Sequence, residues 1–495
     1  MTQLTIDPIT RLEGHGKIEI FLDEAGEVER TYFQVPELRG FERFCVGRPV
    51  EEMATLTSRI CGVCPEAHHM AAAKAADAVY GLMPPRPARL LRELLYSAFV
   101  VADHTTHFYV LSGPDFLVGP DAPPAERNIL GVIHKVGLDI GGRVIETRKG
   151  GHAIIEMIGG RKIHPCTSVP GGLTKGITEE QRSEIERIGR TMVDFAAFSL
   201  GLWDQLILGN PEYVEMIRSD TYTHETYYMG LVDGAGHVAF YDGEVRVVAP
   251  DGERHGQYPP AAYPEWIAER VEPWTYLKFP YLRKVGWQGF VEGKASGVYC
   301  VGPLGRLNAA DGMATPRAQE AYERYFETLA PRGPDGRKRM VHQRLGMHWA
   351  RLVELLYAAE RVVELATDPE ITSDQVRIVP DQVPSEGVGT VEAPRGTLTH
   401  HYWTDERGLI TKVDLIVGTT NNYAPMAMSI ERAARGLIHG GAVVGQGLLN
   451  RIEMAFRAYD PCFGCATHTL TGEMPLEVTL RDAEGEIVDV LRQRC

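Results

Sequence analysis

Arg59-Ile-Cys-Gly-Val-Cys-Pro-Glu-Ala-His68 is the stretch on which the reading of this chain turns. Cys61 and Cys64 precede Pro65, and proline is favoured at the first position of a helix, so the spacing predicts a helix over about 65–80 with the pair at its N-terminus. There the helix dipole favours the thiolate form, the form that binds metal. His68 would stand one turn beyond Cys64, within reach of the sulfurs. Near the other end, Asp460-Pro-Cys-Phe-Gly-Cys-Ala-Thr-His468 repeats the spacing with Cys462 and Cys465. Only eight cysteines occur in 495 residues. Random placement would give roughly 0.1 Cys-x-x-Cys pairs, so two pairs are a signal.

Four thiolates form a soft donor set, suited to zinc, an iron–sulfur cluster, Cu(I) or a thiolate-bound nickel or iron centre. A structural zinc site staples neighbouring segments, with pairs about 12–20 residues apart. Here nearly the whole chain intervenes, so the site depends on the fold instead of creating it. A redox dithiol would sit in a βαβ pattern, which neither pair has. From spacing alone, zinc and a nickel or iron centre both stay open.

The rest of the chain reads as α+β and predominantly helical, a long-helix bundle core with peripheral β-hairpins. Helical periodicity covers about 86–112, 179–208 and 345–366, with shorter helices at 316–330, 427–438 and 446–458. Thr178 and Gln181 have the spacing of a capping box. Hairpins are expected at 17–33, across 229–262 and in the tail after His468, where Gly and Asp-Gly turns punctuate β-branched runs. The hydrophobic fraction of 44% is that of an ordinary globular protein. The net charge of −15 and the lack of a basic run exclude nucleic-acid binding. No run of about 18 apolar residues marks a transmembrane segment. The start lacks the basic and apolar regions of a signal peptide, which points to the cytoplasm.

The two cysteine motifs, taken with Arg11-Leu-Glu-Gly-His15, Arg39-Gly-Phe-Glu42, Asp103-His104, Ser168-Val-Pro-Gly-Gly172, Glu392-Ala-Pro-Arg-Gly396 and Val417-Gly-Thr-Thr-Asn421, resemble the large, catalytic subunit of nickel–iron hydrogenases over the full chain. Asp121-Ala-Pro-Pro124, Phe279-Pro-Tyr281 and Gly302-Pro-Leu-Gly305 are most similar to the cytoplasmic, bidirectional, NAD-linked branch. The resemblance implies that fold and a Ni–Fe centre with CO and cyanide ligands on iron. All four cysteines would hold nickel, and Cys64 and Cys465 would also bridge to iron. Pro394, Arg395 and Thr419 would contact the cyanides, and guanidinium and hydroxyl are the donors that cyanide nitrogens need. Glu42 and His468 would bind a Mg (or Fe) ion tying the two ends of the chain together. Residues 1–468 would form the catalytic domain, and the 27 residues 469–495 an extension removed on maturation by an endopeptidase.

For the chemistry, the resemblance implies reversible heterolytic cleavage of H2, with metals as Lewis acid and a sulfur as base. Cys462 is expected to receive the proton and Glu13 to relay it. Arg395 is almost always protonated and is expected to orient H2 and the cyanides, with Asp103 and Asp460 as counter-ions. The four remaining cysteines are too scattered for a relay of clusters, and no Gly-x-Gly-x-x-Gly follows a strand. The expected partners are therefore an iron–sulfur small subunit together with a further diaphorase or other electron-acceptor module.

Competing readings are an H2-sensing regulatory protein, a metal-free scaffold like those of complex I, and the structural zinc protein. Each residue also has an ordinary alternative. Glu13 and Glu42 could be surface carboxylates, His68 and His69 satisfied core histidines, Arg395 a surface partner of Glu392, and Asp460 a loop cap. Phe463-Gly464 departs from the pattern, in which a small or hydroxyl residue is commoner in the second slot, and little consequence is expected.

Overall fold

In the computed structural model, residues 2–35, 39–334, 336, 338–440, 444–466, 476–481 and 487–493 are described. The Pro65–Val79 helix starts directly after Cys64, with proline in its first turn. Its alanine-rich body is buried on nearly every side. Alanine is small, and the neighbouring strand exploits this. At Gly389 a Cβ would lie 2.1 Å from the Ala71 carbonyl, and at Gly387 one would lie 2.3 Å from the Val79 nitrogen. Strand and helix backbones thus touch where side chains would normally intervene.

That strand, Glu386–Ala393, pairs antiparallel with Gly396–Thr404, which pairs in turn with Ile410–Ile416. Pro394 and Arg395 are the two-residue turn between the first two strands, with Ala393 opposite Gly396. Most of the first two strands is buried. No strand was expected over these residues: this sheet lies inside, against the cysteine-bearing helix. A strand buried on both faces loses the polar alternation by which hairpins are recognised.

The long helices Arg86–Thr106, Leu138–Gly159, Glu179–Trp203 and Met347–Ala366 pack side by side. Leu138–Gly159 escaped the sequence reading because Gly141, Gly142, Gly150 and Gly151 dilute its helical signal. Packing explains two of them. A Cβ on Gly151 would lie 3.0 Å from the Ala102 Cβ, and one on Gly150 would lie 2.8 Å from Ile188. The Thr178–Gln181 capping box forms as expected. The helices expected over 86–112 and 179–208 are α-helical to Thr106 and Trp203, then continue as π-helical turns at His107–Ser112 and Asp204–Leu208. In its most apolar window the Glu179–Leu208 helix has a mean hydropathy of 1.2. By length and composition alone it resembles a membrane span, but it packs along Met347–Ala366.

The N-terminal hairpin forms at Lys17–Leu22 and Val28–Gln34, and Thr2–Ile6 adds a third strand to it. Tyr227–Val232, Glu244–Val248 and Arg254–Tyr258 form the second β-region, with Tyr299–Cys300 pairing on its edge. In the tail, Leu476–Arg481 pairs with Ile487–Gln493.

Candidate metal centre

The N- and C-terminal segments meet at one point. Glu13 and Cys462 form an isolated parallel bridge, and the Phe463 N–H donates to the Glu13 carbonyl at 3.0 Å. Arg39 fastens the two cysteine loops to each other. One of its guanidinium nitrogens donates to both the Ile60 carbonyl and, at 3.0 Å, the Gly464 carbonyl. Two residues on the approach hold left-handed backbone that is uncommon outside glycine: Arg11 (φ 59°) and Asp460 (φ 57°). Each lies two residues before a residue of the site, and buried partners hold it there. Arg11 bonds Asp115 and Asn450, and Asp460 pairs with Arg395.

The sulfurs of Cys61, Cys64, Cys462 and Cys465 lie within 4.8 Å of one another, and all four residues are buried. Cys64 is 3.1 Å from Cys465 and Cys61 is 3.4 Å from Cys462. Hydrogen bonds from Cys462, Cys465 and Cys64 hold the Cys61 thiol well below its ordinary range. Burial pushes Cys462 and Cys465 far up. Cys64 is pushed up to about 11, because burial and its bond with Cys61 outweigh the bonds from Cys462 and Cys465. Four thiols this close cannot all ionise without a cation among them. The donor set therefore fits a soft metal centre. Cys45, Cys166 and Cys300 stand apart and unbridged.

Glu13 is partly buried, and its carboxylate accepts from Cys462 Sγ at 3.0 Å and from the Gly464 N–H at 2.8 Å. Burial, then the charge at Cys61, raises its pKa, against hydrogen bonds that lower it. At Gly464 a Cβ would lie 2.5 Å from a Glu13 carboxylate oxygen, so any larger residue would make that carboxylate shift. Phe463 packs against Phe33 and Phe456, with ring centroids 5.6 and 5.8 Å away.

Arg395 is buried, and it is not a surface partner of Glu392. It donates to Asp103 at 3.0 Å and to the Asp460 carbonyl at 2.8 Å, with the Asp460 carboxylate 3.0 Å away. Burial opposes its charge, but Asp103 and Asp460 hold the guanidinium protonated. Burial pushes Asp460 up to about 7, against the pull of Arg395. Glu392 instead pairs with Arg306, which also grips Glu354 and the Ala393 and Pro394 carbonyls. Arg306 and Asn422 (donating to the Arg395 carbonyl at 3.1 Å) thereby set the Pro394-Arg395 turn. Sequence reading missed them because each is recognisable only by its partners. Thr419 accepts from the Cys462 N–H at 3.2 Å.

His68 bonds His400 (Nδ1 to Nε2, 3.1 Å), and His400 bonds the Tyr402 hydroxyl at 2.6 Å. His69 is a core histidine, bonded to the Ala54 carbonyl. Glu42 is buried, accepts from the Leu415 N–H at 2.9 Å and is pushed up to about 7 by burial. Its expected co-ligand, His468, lies outside the described residues, as does most of 469–495.

The description of the Nickel-dependent hydrogenase family matches residues 39–127 and 237–468, and a HoxL-like description matches 3–38. The chain is similar to an iron-sulfur subunit of the F420-non-reducing hydrogenase of Archaeoglobus profundus, with 46% identity over 99% of this chain and 100% of that one. It is 37% identical to NAD-reducing hydrogenase HoxS subunit beta of Cupriavidus necator, over 98% and 99% of the two chains. Among solved structures, an NAD+-reducing [NiFe]-hydrogenase in the H2-reduced state superimposes with a TM-score of 0.86. It has 36% identity over 94% of this chain and 100% of that one.

Proposed function

This chain belongs to the nickel-dependent hydrogenases, and from that premise we propose that Cys61, Cys64, Cys462 and Cys465 hold a nickel–iron centre for reversible heterolytic cleavage of H2. The chain is a nickel–iron hydrogenase catalytic subunit, an oxidoreductase acting on H2. The observation that carries the site assignment is the convergence of four buried sulfurs with a carboxylate 3.0 Å from one of them. When bound, the metal pair supplies the Lewis acidity that polarises H2.

The protein's own groups then handle the proton. The Cys462 sulfur receives it, and the Glu13 carboxylate takes it over a single hydrogen bond. The raised pKa of Glu13 moves it towards the neutral range in which a shuttle works best. Arg395, held charged by Asp103 and Asp460, orients rather than accepts. Its guanidinium and the Thr419 hydroxyl are the donors for cyanide nitrogens, beside Pro394, while a CO ligand needs only an apolar wall. Glu42 and His468 are assigned to a Mg (or Fe) ion, which suits a buried carboxyl near Asp414 and Glu269.

Electrons leave to a partner. Arg59, Gly62 and Val63 are exposed, with Val63 at 41%. The loop between the first two thiols is therefore open to docking by an iron–sulfur protein. A diaphorase or other acceptor module completes the cytoplasmic assembly, and the relatives include both NAD-reducing and F420-non-reducing enzymes. We assign 1–468 to the catalytic domain and 469–495 to an extension removed by a maturation endopeptidase. A metal-free scaffold would have no use for four converging thiols.

The test is purification with the co-purifying subunits, followed by metal analysis and H2-dependent dye reduction. Nickel and iron with H2 uptake, both lost in Cys465→Ser, are expected. H2 uptake unaffected by that substitution would sink the assignment.

A further inference from the structure

Between the Arg86–Thr106 helix, its π-helical continuation and the Met347–Ala366 helix runs a seam of polar side chains that the proposed chemistry does not use. His107 and His348 stack across it, with ring centroids 5.6 Å apart and 14° between planes. Arg351 sits beside both. All three are buried. His107 Nε2 donates to the Arg457 carbonyl at 3.2 Å, which leaves its Nδ1 as a lone pair. That Nδ1, the Nδ1 of His348, and the Nε and Nη1 of Arg351 have no protein partner. Four such atoms on three neighbouring residues are a concentration that buried polar groups do not show unless water completes their bonds.

The neighbouring charges argue for water over an anion. Arg395 is matched by Asp103 and Asp460, and Arg306 by Glu354 and Glu392. Arg457 is matched by Asp115 and Glu453. Arg11 shares Asp115, and Arg351 has no ion pair of its own among the described residues but feels the nearby charges of Asp460 and Glu354. With Arg351 and Arg11 counted, six carboxylates still face five guanidinium groups, so no excess positive charge is left to retain a negative ligand.

The seam has two ends. At the inner end, His107 Nε2 lies 3.9 Å from an Asp460 oxygen, next to Arg395, and one oxygen of Asp103 there has no partner. At the outer end, Arg457 leads to Asp115 and Glu453, and Asp115 to Arg11. Thr10, Arg11 and Glu453 line an open surface recess of about 350 Å³.

We propose that the seam between Asp103 and Asp115 holds a file of internal water, lodged on His107, His348 and Arg351, that forms a second proton outlet from the Arg395 side of the metal centre, separate from Glu13. A proton moves by successive hops. Each hop breaks one O–H bond and forms the next along the file, so no side chain changes charge and no electron is transferred. The proton role rests on the hydrogenase reading, whereas the water does not.

A high-resolution structure of the complete holoenzyme complex decides the first part. Ordered water on the four unpartnered nitrogens is expected. A dry seam, or a bound anion, overturns the inference and leaves the hydrogenase assignment standing. Equally, a complex without nickel would overturn that assignment even with the seam wet. The second part is read from exchange of H2 with D2O. Relative to Glu13→Gln alone, adding His348→Phe, which fills the seam with an apolar ring, is expected to lower the residual exchange by at least about tenfold. Adding His348→Gln, which keeps a polar group, is expected to lower it less than about threefold. Equal residual exchange in all three enzymes overturns the outlet. Should the Phe variant not accumulate, the water density of the unaltered enzyme still decides.

Discussion

Replacing Glu13 by glutamine removes one proton-carrying oxygen and almost nothing else. The amide has the same length and shape, and its oxygen can still accept from the Gly464 N–H, now 2.8 Å from the carboxylate. That same oxygen still faces the Cys462 sulfur, now at 3.0 Å. What is lost is the ability to take up and release a proton. Positioned acid–base groups contribute about 10²–10⁴-fold to rate, so H2 oxidation should fall by that factor, or about 3–5 kcal/mol of barrier. Folding should change little, because a carboxyl whose pKa burial has already raised loses little on becoming neutral. Glu13→Asp keeps the chemistry but retracts the carboxylate by about 1.5 Å, one C–C bond, and should recover part of the rate. The assay is H2-dependent dye reduction alongside H2/D2O exchange, with metal content measured in each variant. If Glu13→Gln carried its full metal complement and kept more than about a third of wild-type turnover, the relay through Glu13 would be wrong.

Gly464→Ala should mimic that loss while leaving Glu13 in place, since the new methyl would meet the carboxylate 2.5 Å away; turnover near the wild-type value would show that the carboxylate position is not critical. Arg395→Lys cannot reproduce a fork that engages Asp103 and Asp460 together. It should destabilise the fold by about 1–3 kcal/mol, the cost of leaving a buried acceptor without its donor, and unchanged chemical denaturation would refute this. Burial lowers the pKa of His69 to about 4, of His342 to about 4 and of His348 to about 3. The unfolded chain takes up protons first, so stability is whole above about pH 6.5 and is lost as pH falls towards those values. Three such groups give a slope approaching roughly 4 kcal/mol per pH unit near pH 5, and a melting temperature flat from pH 7 to 5 would contradict it.

The cysteine pairs were legible because their spacing is rare, and the long amphipathic helices because their stripes are regular. Leu138–Gly159 was not legible, since its glycines serve contacts with Ala102 and Ile188 that no local pattern announces. The Glu386–Thr404 hairpin was hidden for a related reason. Buried on both faces, it has lost its alternation, and Gly387 and Gly389 stand where the Pro65–Val79 helix comes too close for a side chain. Within the site, the four motif cysteines come together, whereas some of the residues that position them carry no local signal in the sequence. Arg306 looks like any arginine until the carbonyls it holds are seen, and Arg39 belongs to a motif whose sequence says nothing of the carbonyls it ties together. The His107–His348 stack joins residues 241 positions apart in sequence, a distance over which periodicity carries no information.

X-ray absorption at the nickel edge of the purified holoenzyme tests the central assignment most directly, because it reports both the identity of the metal and the sulfur atoms around it. The four converging cysteines predict nickel in stoichiometric amount with a sulfur-dominated shell, lost when Cys61 or Cys462 is changed to serine. A protein that carried zinc at these sulfurs and no nickel, or nickel with a shell unchanged by those substitutions, would contradict the account.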